Sequence, residues 1–521
     1  MRSLLAAFAV MAMLSPGAAT AQTRPAGATF SLPINDDPQM WPLAGGLYNI
    51  LVNKALYSSL VRYDLKTLEP VGDLAESWTV SEDGRTYTFA LRKNVKWHDG
   101  EPFDANDVVF TLKLWTNKAV PFYLANNFRL IETVTAPDSS TVVVKLSKPQ
   151  AAFPVLLGYN ANILPEHLLK DLSPEQLANP TEFLKKPIGT GPFKFDQYQP
   201  GSFARMVRND DYFDGKPKLD AMVFRIVPDA NSQLALLRAG EVDLVVVEPF
   251  QLASVANNPG IKIQSVPIVR NEYIALNNSY GVLADKKVRT ALTYGLDREL
   301  LMKTVFQGRG TIATGPFTPS IAWAYNADIK PLPFDPKKAQ ALLDEAGWKA
   351  GPDGVRTKDG QPLAFTVLYD SSNPTRARTA LIAQQQWNAI GVRTTFETSE
   401  YRAIVERMRQ KPPAYEINPN YLVTPPDPDG VANYYLSNSL ANSWQYKNPD
   451  VDTLLDQGAT AQSRDERAKA YKRVQEIIHQ DQPIIYTVNP DEIQALSAKV
   501  ETFPQAGYRD ALAWSHLIVK R

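Results

Sequence analysis

The sequence predicts an α/β protein built from more than one structural unit, and three observations lead to this prediction. The chain has 521 residues, too many for a single hydrophobic core. Strand patterns dominate two blocks, residues 73–147 and 191–277, where apolar residues alternate or run together between turns. After residue 284, helical patterns alternate with strands.

In the two strand-rich blocks, most elements have a recognisable boundary. Asp83-Gly84 predicts a hairpin turn before the strand TYTFALR, and Asp104 or Asn106 predicts the N-cap of a helix that interrupts the first block. In the second block, Gly240 predicts the end of a helix. The predicted strands around that helix read MVFRIVP, VDLVVVE, IKIQSVPI and EYIALN.

The last block carries the clearest helix signals. Asp335 followed by Pro336 predicts an N-cap and first turn, and Gly347 predicts the end of that helix. The helical segment TRARTALIAQQQWNAIGV lies between the strands AFTVLYD and RTTFETS, which predicts a βαβ unit. Ser463 and Glu466 have the spacing of a capping box at the start of a further helix.

The composition is that of an ordinary globular protein without a general attraction to polyanions. Hydrophobic residues make up 44% of the chain and charged residues 21%. Lys and Arg number 55, as do Asp and Glu, so the composition predicts neither a nucleic-acid partner nor an anionic lipid partner. The 40 prolines fall in connecting segments, which favours rigid loops.

The N-terminus has the pattern of a signal peptide over residues 1–21. Arg2 supplies the positive start, Leu4–Leu14 is apolar, and Ala19–Ala21 reads as an A-x-A cleavage site. The sequence contains no cysteine, so there is no lipid-anchor cysteine and no disulfide framework. We expect cleavage after Ala21 and a mature chain that is free in the periplasm.

Residues for catalysis or metal binding do not form a recognisable set. The four histidines, at positions 98, 167, 479 and 516, lack metal-ligand spacing, and neither G-x-S-x-G nor H-E-x-x-H occurs. GTGPF, at residues 189–193, lacks the third glycine and the helix start of a nucleotide-binding loop. We therefore expect a binding protein with no enzymatic activity, no cofactor and no metal site.

Six blocks along the chain read LYSSLVRYDLKTLEPVGDLAESWTVSEDGRTYTFALRKNVKWHDGEPFDANDVVFTLK, IGTGPFKFDQYQPGSFARMVRNDDYFDGKP, LRAGEVDL, KKVRTALTYGLDRELL, FDPKKAQALLDEAGW and YKNPDVDTLL. Together they resemble the bacterial extracellular solute-binding proteins of the dipeptide, oligopeptide and nickel class, also called family 5. The similar blocks occur in the family's order and cover nearly all of the mature chain. The proteins of this family are the receptors of ABC importers.

The resemblance implies the two-lobed periplasmic binding protein fold, of type II and similar to cluster C, with an extra β-rich domain. Lobe one would combine residues 22–59, 187–274 and 490–521, the inserted β-rich domain would span 60–186, and lobe two would span 275–489. Hinges would lie near Asn271–Asn277 and Tyr486–Pro490. The implied partners are a small solute, the permease subunits in the inner membrane and, indirectly, their ATPase. We expect a monomer.

The stretch YLVTPPDPDG, Tyr421–Gly430, predicts a stiff polar loop that lines the ligand cleft. In peptide-binding relatives, an aspartate in this loop binds the peptide ammonium and a tryptophan precedes it. Alignment on Asp427-Pro428 places Tyr421 at the tryptophan position and Thr424 at the aspartate position. A hydroxyl cannot neutralise an ammonium, so either Asp427 or Asp429 replaces that carboxylate or the ligand lacks a free ammonium there. A turn-forming role for Asp427 and a reshaped surface loop are the alternatives.

The resemblance implies two further groups of ligand contacts. An arginine at the start of a lobe-two helix binds the ligand carboxylate in dipeptide-binding relatives, and Arg376 and Arg378 lie in that region. Helix geometry places them roughly 200° apart, so we expect one of them to face the cleft and the other to be solvated. Met40 and Trp41 fall in the N-terminal loop that contacts the ligand in the family, although Trp41 could equally pack in the core.

The leading hypothesis is a periplasmic receptor for a small peptide or peptide-like solute. The same fold binds opines, oligosaccharides, nickel chelates and haem in other members, so these ligands remain the first alternative. An exported hydrolase and a periplasmic folding helper are alternatives from other classes. A hydrolase would need a nucleophile or metal set, and a folding helper would expose a broad apolar groove.

Overall fold

The computed structural model describes residues 28–504 and 518–519, so the predicted signal peptide lies outside the described residues. The strands are β1 (Thr29–Ile34), β2 (Val61–Tyr63), β3 (Pro70–Gly72), β4 (Ala75–Val80), β5 (Thr86–Leu91), β6 (Ile131–Asp138), β7 (Thr141–Leu146), β8 (Phe193–Gln199), β9 (Phe203–Arg208), β10 (Ala221–Ile226), β11 (Leu244–Val246), β12 (Ile261–Pro267), β13 (Arg270–Leu276), β14 (Gly310–Ile312), β15 (Lys349–Ala350), β16 (Arg356–Lys358), β17 (Gln361–Pro362), β18 (Ala364–Tyr369), β19 (Arg393–Thr398), β20 (Ile417–Val423), β21 (Ile484–Tyr486), β22 (Val488–Ser497), β23 (Val500–Thr502) and β24 (Ile518–Val519).

Helices connect many of these strands. They are α1 (Leu47–Leu56), α2 (Ala105–Thr116), α3 (Phe153–Gly158), α4 (Glu166–Leu169), α5 (Pro174–Ala178), α6 (Thr181–Leu184), α7 (Ala230–Ala239), α8 (Lys286–Tyr294), α9 (Arg298–Thr304), α10 (Pro336–Glu345), α11 (Pro374–Ala389), α12 (Tyr401–Arg409), α13 (Asp429–Tyr435), α14 (Pro449–Thr460) and α15 (Arg464–Asp481). None of the helices in the described part of the chain is long and apolar enough to cross a membrane.

Four sheets organise the described chain. Sheet A has the order β1-β10-β9-β8, with β1 parallel to β10, and sheet B has the order β11-β22-β12 with β14 paired to β22. Sheet C has the order β19-β18-β20-β13-β21 and mixes parallel with antiparallel pairs. Sheet D, β4-β5-β7-β6, is antiparallel throughout.

The hydrophobic cores follow these sheets. One continuous core joins sheet A to sheet D and contains Phe30, Phe89 and Phe224. A core around Val288 and Trp387 and a second core around Tyr435, Val451 and Tyr471 both include residues of sheet C, together with residues of the helices that follow residue 284. A smaller core packs α7 on sheet B. Sheet C is therefore enclosed as expected of an α/β layer structure.

The chain runs directly from sheet B to sheet C between β12 and β13, and directly back between β21 and β22, and these two passages lie side by side. The first runs from the end of β12 at Pro267 to the start of β13 at Arg270. The second runs from β21 into β22, where the amide of Thr487 donates to the carbonyl of Glu272 at 2.9 Å. Asn489 also donates its side-chain amide to the carbonyl of Arg270 at 3.1 Å. The two passages are thus hydrogen-bonded to each other.

We call residues 61–158, which contain β2, β3, sheet D and α3, the sheet D segment. A further set of contacts joins this segment to α14 and α15. The amide of Ala151 donates to the carbonyl of Ala459 at 3.0 Å. The exposed Lys148 lies 3.3 Å from Asp456, and Arg464 pairs with Glu69. We call these three pairs the bridging contacts.

The predicted helix boundaries and the βαβ unit are confirmed. Asp104 accepts a hydrogen bond at the start of α2, Gly240 ends α7 in the left-handed conformation, and α10 begins after Asp335. Strands β18 and β19 are parallel, with α11 between them. The capping box at Ser463 was wrong in detail, because its side chain makes no cap hydrogen bond, although the first turn of α15 is acidic.

The segment Tyr421–Gly430 is not a loop throughout, which corrects the prediction. Tyr421 lies within the central strand β20, opposite Glu272, and Asp429 already belongs to α13. The prolines at positions 425, 426 and 428 restrict only the residues between these two elements. The irregular segment is therefore limited to residues 424–428.

The GTGPF motif has a packing role. A Cβ atom at Gly189 would lie 2.0 Å from the carbonyl oxygen of Leu56, and one at Gly191 would lie 2.5 Å from the carbonyl carbon of Leu56. The amide of Gly191 donates to that same carbonyl oxygen at 2.9 Å. The two glycines therefore allow backbone to pack directly on the end of α1, which no larger residue permits.

We expect Gly189→Ala to lower the free energy of unfolding by about 1–3 kcal/mol or more, because the added methyl group meets backbone rather than a movable side chain. Urea denaturation monitored by circular dichroism measures this change. Gly281→Ala is the matched control, since a Cβ atom at Gly281 meets nothing within 4 Å. Equal stabilities of the two variants would contradict the packing role.

Candidate functional site

A cavity of about 460 Å³ lies where sheets A, B and C approach one another, and we call it the cleft. One wall is formed by residues after β1, by α1 and α7, and by the turn after β11, while the other is formed by residues after β20 and before α11. The first passage between the sheets lies at the base. The polar and aromatic lining residues are Asn35, Tyr48, Tyr63, Lys66, Tyr159, Gln233, Glu248, Gln251, Arg270, Ser320, Asn373, Tyr421, Thr424 and Glu492.

Tyr421 is held in the cleft by two arginines. The guanidinium carbon of Arg270 lies 4.2 Å from the centre of the Tyr421 ring, and that of Arg376 lies 5.0 Å from it. Arg376 also contacts the ring of Tyr401 at 4.4 Å. Cation–π contacts of this kind orient an aromatic ring, so Tyr421 is a preorganised wall of the cleft.

Each of these arginines has its own buried carboxylate. Arg270 Nε donates to Glu272 Oε1 at 2.7 Å, and Arg376 Nη1 donates to Asp370 Oδ2 at 3.0 Å. Arg376 also donates to the side-chain carbonyl of Asn420 at 3.1 Å. Because a buried charge is stable only when paired, these arginines are committed to the protein's own carboxylates.

Glu248 adds a second carboxylate near Arg270. Burial lowers the pKa of the Arg270 guanidinium, but Glu272, Tyr421 and Glu248 outweigh this effect and the net pKa is raised. Burial also raises the pKa of Glu272, against the opposing charge of Arg270. Arg270 thus has two carboxylate neighbours, of which Glu248 lines the cleft and Glu272 is buried. We call these three residues the acidic group.

Thr424 lies in the lining of the cleft, and its side chain is buried. The two aspartates that follow it, Asp427 and Asp429, are instead held by hydrogen bonds within the protein. Asp427 Oδ1 lies 2.7 Å from Arg467 Nη2 and also accepts from the amide of Asp429 at 3.0 Å. Asp429 accepts a hydrogen bond from the Tyr471 hydroxyl. Asp427 thus forms the turn that was the alternative interpretation, and neither aspartate is among the residues that line the cleft.

Arg376 and Arg378 point to different surroundings, in keeping with their positions on α11. Arg376 is buried in its contacts with Asp370 and Tyr421, as described above. Arg378 is exposed, and its guanidinium lies 4.8 Å from the centre of the Phe250 ring, which belongs to the opposite wall. Neither arginine lines the cleft, where Asn373, the N-cap of α11, occupies the nearest position on that helix.

Met40 and Trp41 are buried in the core that joins sheets A and D, and they do not line the cleft. The Trp41 ring packs against Phe183 with ring centres 5.8 Å apart. The carbonyl of Trp41 accepts from the side-chain amide of Asn49 at 2.8 Å, and the carbonyl of Met40 accepts from the Tyr57 hydroxyl. The structure places this pair in the core, which was the alternative interpretation for Trp41.

Lys66, Glu248 and Arg270 line the cleft but were not singled out from the sequence. Arg270 comes directly before the predicted hinge at Asn271–Asn277, and Glu248 is the last residue of the predicted strand VDLVVVE. The available signals were therefore the neighbouring hinge for Arg270 and a charged strand end for Glu248. Lys66 lies in the turn between β2 and β3 and had no such signal.

Metal and haem binding have no support from the described side chains. No group of three histidine, aspartate or glutamate side chains within residues 28–504 is placed to hold a metal ion. The three histidines in that range, His98, His167 and His479, do not line the cleft. A ligand in the cleft would instead meet tyrosines, amides and a small number of charges.

A cleft of this kind, which lies between two walls and is lined by tyrosines, amides and a few charged side chains, suits a receptor for a small solute. The chain belongs to the bacterial extracellular solute-binding proteins, family 5, whose model matches residues 69–443. The members of this family are binding proteins. The resemblance inferred from the sequence is therefore confirmed.

Individual relatives share most of their length with this chain. The oligopeptide-binding protein AppA of Bacillus subtilis is 32% identical over 469 residues, which cover 88% of this chain and 85% of AppA. Heme-binding protein A of Haemophilus influenzae is 31% identical over 496 residues, which cover 89% and 87%. The solved structure of Bacillus subtilis AppA with a nonapeptide matches with a TM-score of 0.79 and 29% identity, over 95% of this chain and all (100%) of that one. The predicted two-lobed α/β fold is confirmed by these likenesses.

The pair of aspartates beside Arg467 predicts a pH-dependent stability. Burial raises the pKa of Asp429 to about 7; the charge of Asp427 adds to the rise, while Arg467, Tyr471 and Lys148 oppose it. In the unfolded chain an aspartate titrates near about 4. The folded protein therefore holds a proton between these two pH values that the unfolded chain has lost. The stabilisation from this group is complete below about pH 4 and is lost as the pH rises through about 7.

We expect Asp429→Asn to become more stable relative to the wild type as the pH rises from 5 to 8, because an amide never acquires the buried negative charge. Urea denaturation at four pH values in this range measures the difference in the free energy of unfolding. Asp328→Asn, at an exposed position, controls for the general effect of removing a carboxylate. A difference that stays constant from pH 5 to 8 would argue against a raised pKa of Asp429.

Proposed function

We propose that this protein is a periplasmic substrate-binding protein of an ABC importer, which binds a small peptide or peptide-like solute in the cleft. The observation that carries the proposal is the acidic group of Arg270, Glu272 and Glu248 beside Tyr421. It places the Glu248 carboxylate in the lining of the cleft, where a ligand ammonium can reach it, although Thr424 stands at the position of the carboxylate of peptide-binding relatives. The similarity to the oligopeptide-binding protein AppA supports the same ligand class.

The mature chain would begin at Gln22 after export and would stay free in the periplasm as a monomer. It would deliver its solute, chemically unchanged, to permease subunits in the inner membrane, and through them to their ATPase. Lobe one would comprise residues 22–59, 187–274 and 490–521, the inserted domain 60–186, and lobe two 275–489. The hydrogen-bonded passages at residues 267–270 and 486–490 support hinges at these places, slightly before the first predicted position.

A non-peptide solute is the alternative, since a haem-binding relative has similar identity. None of the described histidines lines the cleft, so haem or a nickel chelate would have no histidine ligand there. Opines and oligosaccharides would use the tyrosines of the lining, but they would leave the acidic group without a cationic partner. An ammonium-bearing solute therefore matches the cleft best.

A thermal-shift screen tests the ligand class. The protein from Gln22 to Arg521 is unfolded and refolded to remove carried ligand, and then mixed with free peptides of two to five residues, N-acetylated peptides, nickel chelates, haem or oligosaccharides. A ligand at about 100 times its Kd stabilises by about 2.7 kcal/mol. We expect free peptides to raise the melting temperature. Stabilisation by non-peptide solutes alone would overturn the proposal.

We expect Glu248→Gln to weaken binding of peptides with a free amino terminus by roughly 10- to 100-fold, the range for loss of one charge-assisted hydrogen bond. Binding of the N-acetylated peptides should change little, because they carry no ammonium. Isothermal titration calorimetry with both forms measures the two affinities.

Glu82→Gln is the control for this variant, because Glu82 is exposed in the hairpin of sheet D and lies outside the cleft. An equal loss of affinity for free and N-acetylated peptides would mean that Glu248 supports the shape of the cleft and does not bind the ammonium.

A further inference from the structure

A second cavity, of about 590 Å³, lies beside the cleft, between the sheet D segment and the part of the chain around α15. We call it the side cavity. Its aromatic lining comes from Trp78 and Tyr87 on sheet D and from Trp323. Four residues line both this cavity and the cleft, namely Lys66, Leu68, Ser320 and Pro426. The two cavities therefore adjoin, and these residues mark the boundary between them.

The acidic group lies away from this boundary. Glu248 and Arg270 line the cleft but not the side cavity. The same is true of Gln233 and Gln251, which flank Glu248 on that wall. Lys66 therefore lies at the end of the cleft that adjoins the side cavity. Glu248 lies in a different part of the cleft.

The turn that carries Lys66 is held by local hydrogen bonds. Asp64 Oδ1 accepts from the backbone amides of Lys66 at 3.0 Å and Thr67 at 2.8 Å. The amide of Asp64 donates to the carbonyl of Glu69 at 2.8 Å, which closes the turn between β2 and β3. The Asp64 carboxylate is thus directed at the backbone of the turn, and the turn fixes where the Lys66 side chain begins.

Lys66 differs from the other cations that line the two cavities. Arg270 pairs with Glu272, Arg464 pairs with Glu69, and Arg467 pairs with Asp427. Among the ion pairs of residues 28–504, none involves Lys66, and its side chain is exposed. Lys66 also contributes to the lowered pKa of the nearby Asp64, whose carboxylate is occupied by the backbone of the turn. A positive charge that lines the cleft and forms no ion pair is suited to an anionic group of the ligand.

We propose that the Lys66 ammonium binds the carboxylate of the solute at the boundary of the cleft and the side cavity. This inference rests on the proposed function and deepens it, because it restricts the ligands to solutes with an ionised carboxylate. The ligand then runs from its ammonium at Glu248 to its carboxylate at Lys66. Arg376 and Arg378, which the resemblance suggested for the carboxylate, are held by Asp370 and Phe250 instead.

The probes for the test are a randomised tripeptide pool with free carboxylates and the same pool with C-terminal amides. Calorimetry with the wild type should show that the free pool binds roughly tenfold more tightly, as expected for one solvated charge-assisted contact. Raising the sodium chloride concentration should narrow this ratio, because Lys66 is exposed and its charge is screened. A purely structural lysine would not produce either effect.

Three variants complete the experiment. Lys66→Gln should bind both pools alike, Lys66→Arg should keep most of the preference for the free pool, and Lys118→Gln should behave like the wild type, because Lys118 is exposed outside both cavities. Far-ultraviolet circular dichroism checks that each variant is folded.

The outcomes separate this inference from the proposed function. If both pools bind the wild type equally, or if Lys66→Gln retains the wild-type ratio, the role of Lys66 is overturned while peptide binding stands. If neither pool binds and a non-peptide solute does, the proposed function fails and the inference fails with it.

Discussion

The two chain passages at the base of the cleft are the constraint on which the rest of the arrangement depends. Strand β13 continues from β12 into sheet C, and β22 returns beside it, with Thr487 and Asn489 hydrogen-bonded to residues 270–272. Both walls of the cleft are therefore anchored to one narrow pair of extended segments. Residues at this base, such as Arg270, belong to the segments that connect both walls.

Buried charges in and around the cleft follow one rule, which is that each must have a partner. Arg270, Arg376 and Arg467 obey it with carboxylates from their own part of the fold. Arg376 and Asp427, which the sequence suggested as ligand contacts, are therefore already paired within the protein. In the lining of the cleft, Glu248 lies beside Arg270 and Lys66 lies at the boundary with the side cavity, so the two places carry side chains of opposite charge type.

Local signals in the sequence predicted the local structure well. Capping residues such as Asp335 and the order strand–helix–strand around α11 depend only on neighbouring residues, so the helices and the βαβ unit were recognised. The capping box at Ser463 was the exception. The proline-rich segment was predicted too long, because tertiary pairing with β13 recruits Tyr421 into a central strand.

The candidate site was predicted only in part, for a physical reason. Tyr421 and Thr424 line the cleft. Their backbone positions could be predicted from the alignment with the family. Whether Asp427 and Arg376 can contact a ligand depends on their partners within the protein. The partner of Asp427 is Arg467, which lies 40 residues away in the sequence. Whether a charge is free or paired is a property of the folded chain. The sequence could name the charged residues, but it could not assign their partners.

The bridging contacts affect the thermodynamics of the receptor although they touch no ligand. Ala151, Lys148 and Glu69 meet α14 and α15 only when the sheet D segment lies against them. If the proposed lobes move about this base, such contacts would stabilise the closed conformation even when the cleft is empty. The affinity for a solute would then include the population of closed molecules already present, and weakening a bridging contact would lower that population. In the proposed receptor, affinity would therefore depend in part on residues outside the cleft.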